Sequence, residues 1–234
     1  MAREGHHSDV TGGWLRPAVF GAMDGLVSNL ALMAGVAGGA AALDSGTTPV
    51  VLAGLAGLAA GAFSMAAGEY ISVTSQAELA EQEFAKERIE LDRNPEGEAS
   101  ELADLWVARG VDRDLAEQLA RQLGRNPVAA LEVHAREEIG LAPGELPSPW
   151  VAAGSSLLSF VAGAIIPVIP YLLGATTLLW SLVLSVIGLF GAGAVVARVT
   201  ARPWWFSGLR QLVVGLLAAG VTWGVGTLVG TSLG

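Results

Sequence analysis

The chain has 234 residues, of which 52% are hydrophobic and 31 are glycine, and its mean hydropathy is +0.53. That is too apolar and too glycine-rich for an ordinary soluble domain, and it is the composition of a polytopic membrane protein. The net charge is −9 and there is no cysteine, so disulfides and thiolate sites are excluded; a metal must use carboxylate, imidazole, thioether or backbone oxygen.

Residues 1–11 are polar and include His6 and His7. A long span follows from Pro17 with no small-residue cleavage pattern before it, so no cleaved signal peptide is expected. Five apolar stretches, at 17–43, 50–71, 150–173, 176–199 and 206–233, each exceed the ~20 residues a helix needs to cross the hydrocarbon core. The expected fold is therefore an all-α membrane protein with five transmembrane helices. A helical domain is inserted between the second and third, giving divisions at 1–77, 78–147 and 148–234.

The first span carries Asp24. A lone acid in a span is costly unless it lines a water path or finds a partner, which makes it a functional candidate; a structural hydrogen bond near the interface is the alternative. The second span carries Met65, with Glu69 one turn further on. Met65 alone would read as packing, but Asp24 and Glu69 share its membrane, so all three are candidates for a transport path. Gly54, Gly57 and Gly61 in span two, and Gly220, Gly224, Gly226 and Gly230 in span five, have the small-residue spacing that lets helix backbones approach.

The second span's helix is expected to run on, without a breaker, to about residue 91. Segment 78–145 holds 17 acidic and 8 basic residues, so the acidity of the whole chain is concentrated there. It contains two E-x-x-E pairs, Glu87/Glu90 and Glu98/Glu101. Residues three apart share a helix face, so each pair can offer two carboxylates together. One pair reads as readily as a solvated face, but two pairs beside an intramembrane acid point to metal. Asn94-Pro95-Glu96-Gly97 breaks the helix, which sets the pairs on separate helices facing each other. Further helices fit 98–109, 112–123 with Asp112 as N-cap, and 127–139 after Asn126, ending at Gly140. On the last of these His134 and Glu138 stand at i, i+4, a spacing at which the imidazole can join a carboxylate site.

Span three ends in Pro167-Val-Ile-Pro170-Tyr171, where two missing backbone donors bend or end the helix and the freed carbonyls need partners. All 13 Lys and Arg fall before Leu26, within 78–145, or from Arg198 to Arg210. The positive-inside rule then places the N-terminus, the acidic domain and the fourth-to-fifth connector in the cytosol, and five spans leave the C-terminus outside. Thioether with carboxylate suits Fe²⁺ or Mn²⁺ better than Mg²⁺, Ca²⁺ or Cu⁺. A carboxylate inside a span can hold either a proton or a metal ion, and that exclusion is the simplest antiport mechanism.

The chain resembles the vacuolar iron transporter family of Fe²⁺/Mn²⁺ exporters. The resemblance rests on Phe20-Gly-Ala-Met-Asp24-Gly-Leu, on Gly61-Ala-Phe-Ser-Met65-Ala-Ala-Gly-Glu69-Tyr-Ile-Ser, and on Glu87, Glu90, Glu98 and Glu101. It continues through Glu138-Ile-Gly-Leu, Pro167-Val-Ile-Pro170-Tyr171 and Ser207-Gly-Leu-Arg-Gln-Leu, in order over nearly the whole chain. It implies a homodimer of five-span protomers that exchanges cytosolic Fe²⁺ for protons and is not an enzyme. By resemblance Asp24 and Met65 line the path, and Glu87, Glu90, Glu98, Glu101 and Glu138 bind metal in the cytosolic domain. Two positions depart from the pattern: Gly57 stands where iron-transporting members tend to have an acid, and His134 and Ala135 stand where they have methionines. The expected partners are divalent cations, protons, the lipid bilayer and a second copy of the chain, with no nucleic acid and no prosthetic group. A prokaryotic plasma membrane is the expected location. The alternatives are a membrane-anchored metal buffer or sensor, and a di-iron oxidase; the latter would want Glu-x-x-His pairs, and the acidic segment has none.

Overall fold

A computed structural model describes residues 13–200 and 202–233; the polar arm expected over 1–11 lies outside the described residues. Every regular element among them is helical. In chain order these are α1 (Leu15–Ala42), α2 (Thr48–Arg93), α3 (Pro95–Ala108), α4 (Arg113–Gly124), α5 (Pro127–His134), a wide π turn (Ala135–Ile139), α6 (Pro149–Ala164), α7 (Ile169–Leu172), α8 (Leu178–Thr200) and α9 (Trp204–Leu233). Prolines mark many of the starts. Pro17, Pro49, Pro95, Pro127 and Pro149 all fall in first turns, where a missing N–H costs no intrahelical bond and φ is already set. Asn94, Asp112 and Asn126 cap α3, α4 and α5, each side chain accepting from backbone N–H groups two or three residues on. A cap of this kind contributes about 0.5–2 kcal/mol over alanine.

Among the described residues four helices, α1, α2, α8 and α9, are long and apolar enough to cross a membrane. The 46 residues of α2 run unbroken for about 69 Å, apolar as far as Ile71 and charged beyond. The third apolar stretch is not one helix. α6 has 16 residues and stops at Ala164, because the Pro167 turn diverts Val168 N–H to the Ile165 carbonyl. Side chains from other helices satisfy the carbonyls left over: Asn29 Nδ2 donates to Ala164 O at 2.7 Å, and Ser181 Oγ donates to Pro167 O at 2.6 Å.

The chain divides into two compact units, Met1–Ile71 with Pro149–Gly234, and Ser72–Ser148. Within the first, α1 packs against α6, α8 and α9. Leu26, Leu30 and Ala34 of α1 meet Leu189 of α8 and Ala219 of α9, while Met33 meets Val50, Val168 and Tyr171. Lipid offers no hydrophobic drive for helix association, so close van der Waals contact and interhelical hydrogen bonds hold such a bundle. Gly226 shows the requirement: a side chain there would run into the Gly35 carbonyl of α1. One turn away Thr222 Oγ1 donates to Ala31 O at 2.6 Å. Gly220 and Gly224 face open space instead, so only part of the expected small-residue face in α9 is used here. Large apolar side chains such as Leu52, Phe63, Ile187 and Leu228 point outward, the reverse of a soluble protein.

The second unit has two small cores. Leu102, Ala103, Ala116 and Ala120 join α3 to α4, and Ala80, Phe84 and Ala135 join the end of α2 to the π turn. Alanine dominates both, which lets the helices lie close enough for short polar side chains to meet between them.

Candidate metal sites

Four side chains converge in the second unit: Glu87 from α2, Glu98 from α3, His134 from α5 and Glu138 from the π turn. Each offers a ligand atom, and these atoms all lie within 4.8 Å of one another. Two ligands on opposite sides of a first-row ion, each at about 2.2 Å, are about 4.4 Å apart, so small side-chain adjustments would close the group around one ion. His134 is only 2% exposed and Glu87 5%. Nδ1 of His134 is 3.3 Å from Glu138 Oε1 with hydrogen-bond geometry. It is also 3.1 Å from Glu87 Oε1, which nevertheless lacks a hydrogen-bond partner. A buried carboxylate oxygen without a donor, beside two more carboxylates, is a position that a cation or a proton stabilises.

The electrostatics agree. Burial pushes the Glu87 carboxyl up from 4.5 to about 7, helped by the neighbouring charges of Glu138, Glu98, Glu90 and Glu101. Glu98 is raised by burial and then by Glu101, against an opposing pull from His134. Nearby Glu137 behaves oppositely: a hydrogen bond from Trp106 Nε1 at 3.1 Å, together with the Arg109 guanidinium, holds it below the usual carboxylate range. That commits Glu137 to α3 rather than to the cluster.

Each E-x-x-E pair thus contributes one member. Glu90 and Glu101 are exposed and stand outside the four, acting on Glu87 and Glu98 through charge alone. Three residues along a helix leave side chains about 60° apart, so when Glu87 turns inward Glu90 turns toward solvent. His134 and Glu138, by contrast, meet as their i, i+4 spacing indicated. The donor set, three carboxylates and an imidazole, mixes the preferences of Mn²⁺ and Fe²⁺.

In the first unit Asp24 and Met65 line one groove of about 280 Å³, together with Ser28, Asn29, Gly57 and Ser64. Glu69 is half-buried and is not among the residues lining it; one turn beyond Met65, its neighbour Tyr70 packs on Trp150, ring centroids 4.7 Å apart. Asn29 and Ser28 were not singled out from the sequence. The available signal was Ser28 four residues from Asp24, about 40° away on the same helix face, and a second polar group beside it on an apolar helix.

The VIT family model matches residues 15–227. A vacuolar iron transporter of Acanthamoeba castellanii is 38% identical over 96% of this chain and 82% of its own length. Vacuolar iron transporter 2 of Oryza sativa subsp. japonica is 32% identical over 90% and 85%, and vacuolar iron transporter homolog 1 of the same plant is 38% identical over 93% and 74%. A match of this extent, over an all-helical set of described residues with an acidic cluster in one unit and an acid-and-thioether groove in the other, shows that the protein belongs to the VIT family.

Proposed function

We propose that this protein transports divalent iron or manganese out of the cytosol in exchange for protons. The ion is captured at Glu87, Glu98, His134 and Glu138 and passes along the groove that holds Asp24 and Met65. The observation that carries this reading is the convergence of three carboxylates and a buried imidazole within 4.8 Å, with one carboxylate oxygen left without a donor. Support comes from the relatives named as vacuolar iron transporters and from the pairing of an acid with a thioether in the groove. A buffering protein with a passive anchor has no use for that groove. Protons compete for the same carboxylates, and Glu87 exchanges its proton near neutrality, which gives capture a built-in response to pH.

The proposed topology has five spans, with α6, the Pro167 turn and α7 together forming the third. In this reading the second unit and the N-terminus are cytosolic and the C-terminus lies outside, which the distribution of Lys and Arg supports. The working form is a homodimer. The test is flux of Fe²⁺, Mn²⁺ and Co²⁺ into proteoliposomes holding the purified chain, with and without a pH gradient. The expected result is metal uptake that the gradient accelerates and that consumes the gradient. Uptake no faster than in protein-free vesicles would overturn the reading.

A further inference from the structure

Asn29 is 2% exposed and sits on α1 beside the Asp24–Met65 groove, which it helps to line. Its two polar atoms have different fates. Nδ2 donates to the Ala164 carbonyl at the broken end of α6, at 2.7 Å. Oδ1 is buried and accepts no hydrogen bond from any donor among the described residues. The Nδ2 bond fixes the amide's orientation, so Oδ1 is held at the groove side and cannot rotate away to find a donor. Facing it is Gly57 of α2, where a Cβ would stand 2.8 Å from Oδ1 and 2.5 Å from Leu32 Cδ2, so only a glycine lets α2 come this close to the amide.

We propose that Asn29 Oδ1 is an oxygen ligand of the translocated divalent cation, completing with Asp24 and Met65 a mixed oxygen–sulfur position inside the apolar unit. This rests on the transport reading above and adds a residue to its path. A buried amide carbonyl is a hard donor that can replace a water of the ion's hydration shell without adding charge. The bond to Ala164 supplies the rigidity that a defined ligand needs.

The bland alternative is that Asn29 only caps α6 through Ala164. Two substitutions of similar size separate the readings, since both Asn29→Asp and Asn29→Leu lose the Nδ2 donation but only the first keeps an oxygen. Initial rates of Mn²⁺ and Fe²⁺ uptake are measured in proteoliposomes for the wild type and both variants, each verified as monodisperse. The expected result is a maximal rate lowered roughly tenfold or more in Asn29→Leu, with apparent KM little changed, and within roughly threefold of wild type in Asn29→Asp. Equal losses in both, equal retention in both, or a loss confined to Asn29→Asp would overturn the proposal. If Asn29→Leu does not fold, Asn29→Ala carries the comparison. It removes Oδ1 without adding bulk beside Gly57 and Leu32; a rate lowered as expected for Asn29→Leu supports the ligand, and an unchanged rate overturns it. A wild type that moves no metal removes the transport reading and this proposal together, whereas a mobile metal with an unimpaired Asn29→Leu removes the proposal alone.

Discussion

The cluster in the second unit gathers three carboxylates around one imidazole, whereas the groove in the first unit sets a single carboxylate beside a thioether and neutral polar groups. The cluster is crowded with like charge, enough to lift Glu87 to about 7, and a divalent cation relieves that repulsion. The groove has no such crowding. A site that concentrates negative charge suits capture from dilute solution, and a site with one charge suits passage, because an ion held by several carboxylates leaves slowly. Charge per site, more than donor type, is what distinguishes the two regions.

The largest effect that would sharpen this contrast is at Asp24. Asp24→Asn removes the groove's only charge without changing its shape, so uptake in proteoliposomes is expected to fall to the protein-free background while metal binding to the full chain in detergent persists. Wild-type uptake by the variant would remove Asp24 from the path. Next come the cluster ligands. His134→Ala or Glu98→Gln is expected to weaken Mn²⁺ binding by roughly tenfold or more, as loss of a ligand does, whereas Glu101→Gln, which acts through charge alone, changes it by only about twofold to threefold. Calorimetry on the full chain distinguishes them, and equal effects at positions 98 and 101 would show that the cluster is a diffuse acidic surface.

A smaller effect is expected with pH. Metal must displace the proton that Glu87 holds below about 7, so affinity at the cluster is expected to rise with pH from about 6 to about 7.5 and then to level off, releasing about one proton per ion. The metal-free protein shows the opposite trend. A carboxyl raised from 4.5 to about 7 by folding binds a proton that the unfolded chain has already lost. Its contribution to stability is therefore complete below 4.5 and declines as pH rises through about 7. Melting temperatures of metal-free chain across that window, with Glu87→Gln flattening the slope, check the sign. The smallest effect is at Met65. Soft donors favour later first-row ions, so Met65→Ala is expected to reduce Fe²⁺ and Co²⁺ uptake more than Mn²⁺ uptake; an equal reduction for all three would make Met65 a packing residue.

Much of the frame was legible in the sequence because it depends on local signals. The caps at Asp112 and Asn126, the break at Asn94-Pro95 and the unbroken run of α2 into the acidic segment follow from side-chain chemistry within a few residues. The α3 start was read three residues late, since Pro95 opens the helix rather than merely ending the one before it. The third apolar stretch shows a limit of length counting: its apolarity reached far enough to cross, but Pro167 and Pro170 divide it, and the four-residue α7 adds little. At the cluster, periodicity placed Glu87 and Glu90 on one face, but only tertiary packing decides which of the two turns inward. The burial of His134 depends on Ala135 packing against Phe84 of α2, a contact between residues some fifty positions apart that no local pattern contains. Asn29 was missed for a related reason: its partner, the Ala164 carbonyl, is a backbone atom freed by a distant break.

The division between capture and passage is tested most directly by the dependence of Mn²⁺ uptake on Mn²⁺ concentration in proteoliposomes bearing the Glu98→Gln/His134→Ala double variant. The account predicts a raised apparent KM with uptake recovering toward the wild-type maximum at high metal, since the groove is intact. A maximal rate that stays at background however much metal is supplied would place the cluster in the passage step itself and contradict the account.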